Sequence, residues 1–258
     1  MEQKTEKLCG NTATGTLKLI AFVFMAIDHA GAAFFNGKAG FLPYVAEMRV
    51  LGRLAFPIYA WCIAVGVCRT RNVYRYLLRM LIMAVISQPI YALAMGHTWY
   101  QISIFGTLSL GLAALIGIRE NRFYSRLWAP VLCVGAAFLI PVDYGWQGVT
   151  FIILLYLCRK EKGSLIAVMI AYCLFWGYTS GSSLISLFGI ALPKKISFLP
   201  RADKFLASIF RMQFCAVLAL PFLLIPMKNV KISKKITYAL YPAHLLVILV
   251  IRYALGLM

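Results

Sequence analysis

The sequence predicts an all-α fold, a polytopic integral membrane helical bundle of nine or ten transmembrane helices forming a single domain over residues 1–258. Three observations carry that prediction. First, 62% of the residues are hydrophobic, only 13% are charged and the mean hydropathy is +0.82, which leaves too little polar surface for a water-exposed globule. Second, apolar runs of bilayer-crossing length recur along the whole chain. Third, the basic residues collect in the short segments between those runs. In a soluble chain the formal charge of +18 would point to nucleic acid. With this distribution it reports orientation in a membrane, and no nucleic-acid partner is expected.

A bilayer crossing takes about 17 to 25 apolar residues, and the runs 17–35, 50–68, 75–95 and 100–118 meet that length. The first follows Lys4, Lys7 and Lys18 in the manner of a secretory signal. Asp28 and His29 interrupt it and further spans follow, so an uncleaved helix is expected. The runs 127–141, 145–158 and 164–178 are shorter, and 183–192 is short enough to be half of a broken helix. Runs 207–226 and 236–257 complete the set, with no internal repeat, low-complexity tract or linker between them.

Arg69, Arg71 and Arg75 follow the second helix, Arg119, Arg122 and Arg126 the fourth, and Arg159, Lys160 and Lys162 the sixth. These clusters share one face, the cytoplasmic one if the amino terminus is cytoplasmic. The later segments "PKKISFLPRADK" and "KNVKISKK" are both basic although one helix separates them. Either 183–192 crosses the membrane and the second of these loops is external, or 183–192 is re-entrant and the first is. The cysteines Cys9, Cys62, Cys68, Cys133, Cys158, Cys173 and Cys215 are odd in number, form no C-x-x-C pair and lie mostly in apolar runs. They read as small core side chains rather than redox or metal sites.

An ionisable side chain at the bilayer centre costs about 2.5 to 3.5 kcal/mol on insertion scales, so one that persists faces the bundle interior and has a partner. Of the 8 acidic residues, Asp28 alone is deep, with Asp143 at a helix end. Of the 3 histidines, His97 lies in a loop while His29 and His244 sit within spans. His29 is about 16 Å beyond Lys18 at 1.5 Å per residue, near mid-bilayer. Arg53 enters from the other side to a similar depth and shares a helix face with Arg49 at i,i+4 spacing. Asp28 and His29, as sequence neighbours, point about 100° apart. A direct dyad is therefore disfavoured: Asp28 is expected to pair with an arginine across the helix interface, and His29 to face a cavity.

These side chains read either as locks between helices or, together with His244, Arg79, Gln88 and Gln213, as the lining of a polar reaction chamber. An imidazole with an ordinary pKa of about 6.5 accepts and returns a proton near neutrality. The run "CRTRNVYRYLLR" over residues 68–79 either anchors the topology on lipid headgroups or, through Arg69, Arg71, Arg75 and Arg79 with Arg49, binds the phosphates of a nucleotide-containing donor. No Walker-type loop and no H-E-x-x-H pattern is present. A metal held by Asp28, His29 and His244 is conceivable, but no metal is expected.

Four stretches together, "LKLIAFVFMAIDHAGAAFF", "MRVLGRLAFPIYAWCIAVGVCRTRNVYRYLLRMLIMAVISQPIY", "DYGWQGV" and "YALYPAHLLVILV", resemble the TraX family, named for the conjugation-linked protein that acetylates pilin. The resemblance runs from Leu17 to about Val250. It rests on K-x-I-A-x-x-x-M-x-x-D-H, then R-x-L-G-R-x-A-F-P, then a late Y-P-x-H-L. Asp28 and His29 match the first motif, Arg49, Gly52, Arg53 and Pro57 the second, Arg79 and Gln88 the pattern of the third helix, Asp143, Tyr144 and Gly145 the short D-Y-G, and Tyr241, Pro242 and His244 the last. Residues 164–204 match poorly. The family is also distantly similar to the OafA-like and heparan-glucosaminide acetyltransferases, with a functional histidine in an early span.

The resemblance implies a multi-pass acetyltransferase of the bacterial cytoplasmic (inner) membrane, taking acetyl from cytoplasmic acetyl-CoA to an amine or hydroxyl. The acceptor, a pilin-like peptide amine, a glycan or a lipid, does not transfer. It implies His29 as general base, Arg53 or His244 as oxyanion partner, and Asp28 as the residue that orients them. Gln88, Asp143, Tyr144, Gln213 and Tyr241 would then contact substrate or hold the structure. Midplane charges and deep histidines also describe a proton-coupled transporter or flippase, and a scaffold whose charges only set helix packing is the third class.

Overall fold

The computed structural model describes residues 7–35, 44–179, 184, 186–187, 190–191 and 207–256. In these, α1 covers Thr14–Phe35, α2 Val45–Gly52, α3 Ala55–Arg69, α4 Val73–Met95, α5 Ile104–Glu120, α6 Ser125–Leu139, α7 Gly145–Leu157 and α8 Lys162–Thr179. A minimal antiparallel pair follows, β1 Ser186–Leu187 with β2 Ile190–Ala191. Then come 3₁₀ segments at Ser208–Phe210 and Met212–Ala219, the short α9 at Leu220–Leu224 and the long α10 at Lys234–Ala254.

This is a helical membrane protein, but the expected nine or ten full-length spans are not all there. Among the described residues five helical stretches are long and apolar enough to cross: Thr14–Phe34, Val45–Arg69, Val73–Met95, Lys162–Thr179 and Lys235–Ala254. Gly145–Leu157 and Met212–Leu224 are shorter apolar helices. The departures have local causes. Pro57 has no N–H to give the carbonyl of Arg53, so the second run divides there, and Leu54 bonds three residues back to Leu51 (3.1 Å). Pro57 itself sits in the first turn of α3, where a missing donor costs nothing. The run 207–226 is largely 3₁₀ rather than one α-helix. Pro221 cannot serve the Val217 carbonyl, which takes its bond from Leu220 instead. In 183–192 the described residues pair as β1 and β2, not as half a helix.

α3 is apolar on every face and lies at the centre, with Phe56, Ile58, Trp61, Ala64 and Val67 fully or almost fully buried. The window containing it is 83% buried, against 17% for α10 at the rim. Trp61 Nε1 donates to the carbonyl of Asn11 (2.7 Å), whose amide donates to Phe222 (3.1 Å). The segment before α1 is thereby sealed between α3 and α9.

The helix ends form two distinct poles. At one, Arg119 Nη1 donates to the carbonyls of Val67 (2.6 Å) and Thr70 (3.0 Å), tying α5 to the end of α3. Arg69 donates to Thr12 (3.2 Å) and Cys9 N–H to Arg159 (2.9 Å). The second late basic loop joins the same pole: Thr16 Oγ1 donates to the Lys228 carbonyl (2.6 Å) and accepts from the Val230 N–H (3.0 Å). Gly15 lies so close to the Val230 carbonyl that a Cβ would overlap it. That loop therefore shares a face with the three arginine clusters, which rules out the arrangement that made it external relative to them; "PKKISFLPRADK" lies outside the described residues. At the other pole Arg252 Nη1 donates to Ala94 (2.7 Å) and the Ile102 N–H to Pro141 (2.9 Å).

Arg119 holds two carbonyls in partly buried bonds with a charged donor, and such bonds are worth about 1.5–3 kcal/mol each. Arg119→Met is expected to lower the melting temperature of the detergent-solubilised protein by several degrees, and an unchanged melting curve would show that the α3–α5 tie carries no stability.

Candidate active site

The deepest polar cluster is built by α1 and the α2–α3 junction. Asp28 on α1 is 7% exposed and accepts from two arginines: Arg49 Nη1 at 2.9 Å, and Arg53 Nη2 at 3.0 and 3.1 Å on its two oxygens. Arg53 Nε donates to the Arg49 carbonyl (3.3 Å), so the same side chain caps the broken helix and reaches the carboxylate. Gly52 makes this possible. A Cβ there would overlap the Asp28 carboxyl, so only a bare backbone lets α1 and α2 approach this closely.

His29 is 8% exposed and points away from that ion cluster, as the helical offset requires. Its Nδ1 lies 2.8 Å from Nε2 of His244 on α10. His244 Nδ1 lies 3.1 Å from the carbonyl of Leu240, one turn earlier. Tyr241 sets its ring edge against both imidazoles, with centroids 6.2 and 5.3 Å away, and Phe22 packs edge-on against His244 at 5.4 Å.

His29, Asp28, Arg49 and Arg53 line one cavity of about 150 Å³ with Asp143 and Tyr144. Tyr144 stacks on Phe56 at 4.0 Å between centroids and lies 6.0 Å beneath the Arg53 guanidinium. Asp143 is fixed by its backbone N–H to the Ile102 carbonyl (2.9 Å) and opens its side chain to the cavity. Its depth in the protein pushes the carboxyl up to about 6, against the pull of Arg53. His97, after α4, also lines the cavity. Partial burial and the Arg49 charge hold it below its ordinary value, against a hydrogen bond to the Gln101 side chain.

Two further cavities lie in succession beside this one. Met25 and Ile104 line both it and a narrow, mainly apolar cavity of about 60 Å³ with Phe105 and Tyr241. Lys18, Tyr76 and Tyr238 in turn line both that shaft and a wide vestibule of about 370 Å³ at the basic pole. The vestibule carries Lys18, Arg69, Arg79 and Lys231. Arg79 Nε is buried there without a hydrogen-bond partner. Pro242 supplies no N–H to the carbonyl of Tyr238, which leaves an acceptor at the wall where shaft and vestibule meet.

A family model described as TraX protein matches residues 13–252. The chain belongs to the TraX family. The TraX chain is also 28% identical over 166 residues to a probable fimbrial assembly protein FimC, serogroup H1, of Dichelobacter nodosus, a match covering 60% of this chain and 66%, just under two thirds, of that protein. No solved structure matches the TraX chain.

The residues singled out in the sequence divide. Asp28, His29, Arg53, Asp143 and Tyr144 meet at the cavity, and Tyr241 and His244 back it. Arg49, grouped in the sequence with the donor-phosphate arginines, is held by Asp28 at the pole opposite Arg69. Arg69 and Arg79 line the vestibule, whereas Arg71 and Arg75 are exposed and do not. Gln88 bonds the carbonyl of Gln101 (2.8 Å) and accepts from the Ser103 N–H (3.0 Å), securing a loop rather than the cavity. Gln213 is half-buried in the 3₁₀ segment and does not line the cavity. Asp28 has both oxygens on arginines and the histidines bond each other, so the three do not converge as metal ligands. Lys18 and Lys231 also line the vestibule, and nothing in the sequence distinguishes them from other helix-end and loop lysines.

Removing the carboxylate leaves two guanidiniums facing one another with one of them buried, a change that costs about 3–5 kcal/mol where a buried pair is broken. Asp28→Asn is expected to lower the melting temperature markedly. Gly52→Ala is expected to do the same by pushing Asp28 off the arginines, and a Gly52→Ala protein that melts like the native one would contradict the close approach.

Proposed function

We propose that this TraX protein is a membrane acetyltransferase that moves the acetyl group of acetyl-CoA onto an amine or hydroxyl acceptor, with His29 as general base. The observation that carries the reading is the succession of adjoining basic vestibule, apolar shaft and polar chamber, the last lined by His29. Phosphates suit a vestibule with four cationic side chains, and the uncommitted Arg79 Nε is one donor for them. An amide-containing arm suits an apolar shaft with a free carbonyl at its rim. The series starts 11 residues from His29 on α1, at Lys18, about 16 Å along the helix, a span suited to an extended arm.

At the chamber His29 takes the proton of the acceptor, whose lone pair attacks the thioester carbonyl. The carbon–sulfur bond then breaks with its electron pair on sulfur, and the thiolate takes from His29 the proton that the acceptor gave up. Arg53 Nη1, which the bonds to Asp28 and Arg49 do not use, is the donor for the developing oxyanion. His244 is committed to His29 and does not serve there. Asp28 fixes the position of Arg53. Asp143 faces the same cavity and suits the ammonium form of an amine.

The acetyl-CoA end of the series lies at the basic pole, which the positive-inside rule places in the cytoplasm with the amino terminus. His97 and Asp143 line the far side of the chamber, toward the opposite pole, and the acceptor approaches from there. The fimbrial name of the Dichelobacter relative favours a pilus-type subunit over a glycan or lipid. Cavities in series from pole to pole also suit a carrier, and the tests separate the two.

Membranes containing the native protein are expected to transfer label from acetyl-labelled acetyl-CoA into an acceptor fraction, and His29→Ala to lose about 100-fold or more of that transfer while remaining folded. Undiminished transfer by His29→Ala removes the base assignment. Acetyl-CoA is expected to raise the melting temperature in detergent by binding the folded state, and Arg69→Gln with Arg79→Gln to require more of it for the same shift. A protein that acetyl-CoA does not stabilise is a carrier or scaffold instead.

A further inference from the structure

The two imidazoles determine one another's protons. The carbonyl of Leu240 can only accept, so the His244 Nδ1 it faces at 3.1 Å carries the hydrogen. In a neutral ring Nε2 is then a lone pair. The His29 Nδ1 that lies 2.8 Å from it must be the donor. His29, neutral in turn, has its lone pair on Nε2, and its ring lines the chamber. The rings are 6° from parallel with centroids 5.1 Å apart. That separation, with nitrogens 2.8 Å apart, is two ring radii plus one hydrogen bond in a shared plane, not face-to-face stacking, so the lone pair and the N–H point at each other.

We propose that His244 is a positioning residue for His29: with the Leu240 carbonyl it selects the tautomer whose Nε2 is bare toward the chamber, and it shares the positive charge His29 acquires on taking a proton. This rests on the reading of His29 as the base. Without His244, His29 has the chamber and the Tyr241 ring beside it and no group to fix its proton. The bare nitrogen would then be Nδ1 for part of the time, and the base would point away from the acceptor. When Nε2 takes the acceptor proton, the Nδ1–H bond to His244 becomes charge-assisted and shorter, and it relaxes again when that proton passes from Nε2 to the thiolate. The hydrogen between the two rings stays in place, so the pair ends the cycle with the protons it began with.

The chain has 3 histidines, so the assignment can be read directly. Protein grown with ¹⁵N-histidine, and its His97→Asn variant that leaves only the pair, is examined by NMR in detergent at a pH where both rings are neutral, without acceptor or acetyl-CoA. The expected spectrum has protonated Nδ1 and bare Nε2 on both rings. His244→Ala is expected to move His29 toward the Nε2–H form, and His244→Gln, whose amide oxygen can stand where Nε2 stood, to restore the Nδ1–H form. In acetyl transfer from labelled acetyl-CoA, His244→Ala is expected to lose about 100-fold in kcat with KM for acetyl-CoA unchanged, and His244→Gln to recover at least tenfold of that loss. A His29 Nε2–H in the native protein overturns the proposal, as does a tautomer that His244→Ala leaves unchanged. If His244→Ala does not fold, the native and Gln spectra still decide. A chain that has the expected tautomer and transfers no acetyl overturns the enzymatic reading alone; one that turns over with His29 as Nε2–H overturns the positioning role alone.

Discussion

The ion cluster of Asp28 with Arg49 and Arg53 is the constraint on which the rest of the site depends. A carboxylate deep in a membrane bundle is stable only with its oxygens occupied, and here both are, at 2.9 to 3.1 Å. Meeting that requirement draws α2 onto α1 at a glycine and places the break between α2 and α3 beside it. It also leaves the cluster one positive charge in excess, since two guanidiniums meet one carboxylate. That surplus faces a small cavity with limited access to water, where charge acts more strongly than it would in solvent. His29 then occupies a position fixed by helix geometry, one residue and about 100° away from the carboxylate.

Much of this was legible in the residues. The energetic cost of a midplane carboxylate pointed to an arginine partner for Asp28, and the helical offset pointed His29 elsewhere. Both readings needed only local geometry. The grouping of Arg49 with Arg69 failed because a shared basic character says nothing about which pole a side chain occupies. Its i,i+4 relation to Arg53 was the better guide, since side chains on one face meet the same neighbour. Gln88 looked like a chamber residue because it is polar within an apolar run, but its amide satisfies loop backbone groups. The contact between His29 and His244 spans 215 residues, and no periodicity reaches that far.

The span count meets a related limit. Apolar composition fixes that a segment is buried in lipid or protein, but not whether its backbone runs as one α-helix. Pro57 and Pro221 decide that, by withholding a donor from the carbonyls of Arg53 and Val217. In the first case the break opens the site. In the second a 3₁₀ stretch rises faster per residue than an α-helix, so 13 residues, Met212–Leu224, extend further than their number suggests. The placement of the last basic loop had the opposite origin. Charge counting left it open, and a hydrogen-bonded threonine, Thr16, fixed it.

The pairing of α1 with α10 has a consequence for how the molecule comes into being. One imidazole belongs to α1 and its companion to α10, so a chain made only as far as α8 holds the first without the second. The settling of α10 against α1 and α4, with the loop around Val230 closing over Gly15, also completes the histidine pair. A polypeptide built in this order carries one half of a buried contact through the insertion of every helix between, and joins it to the other only as α10 docks.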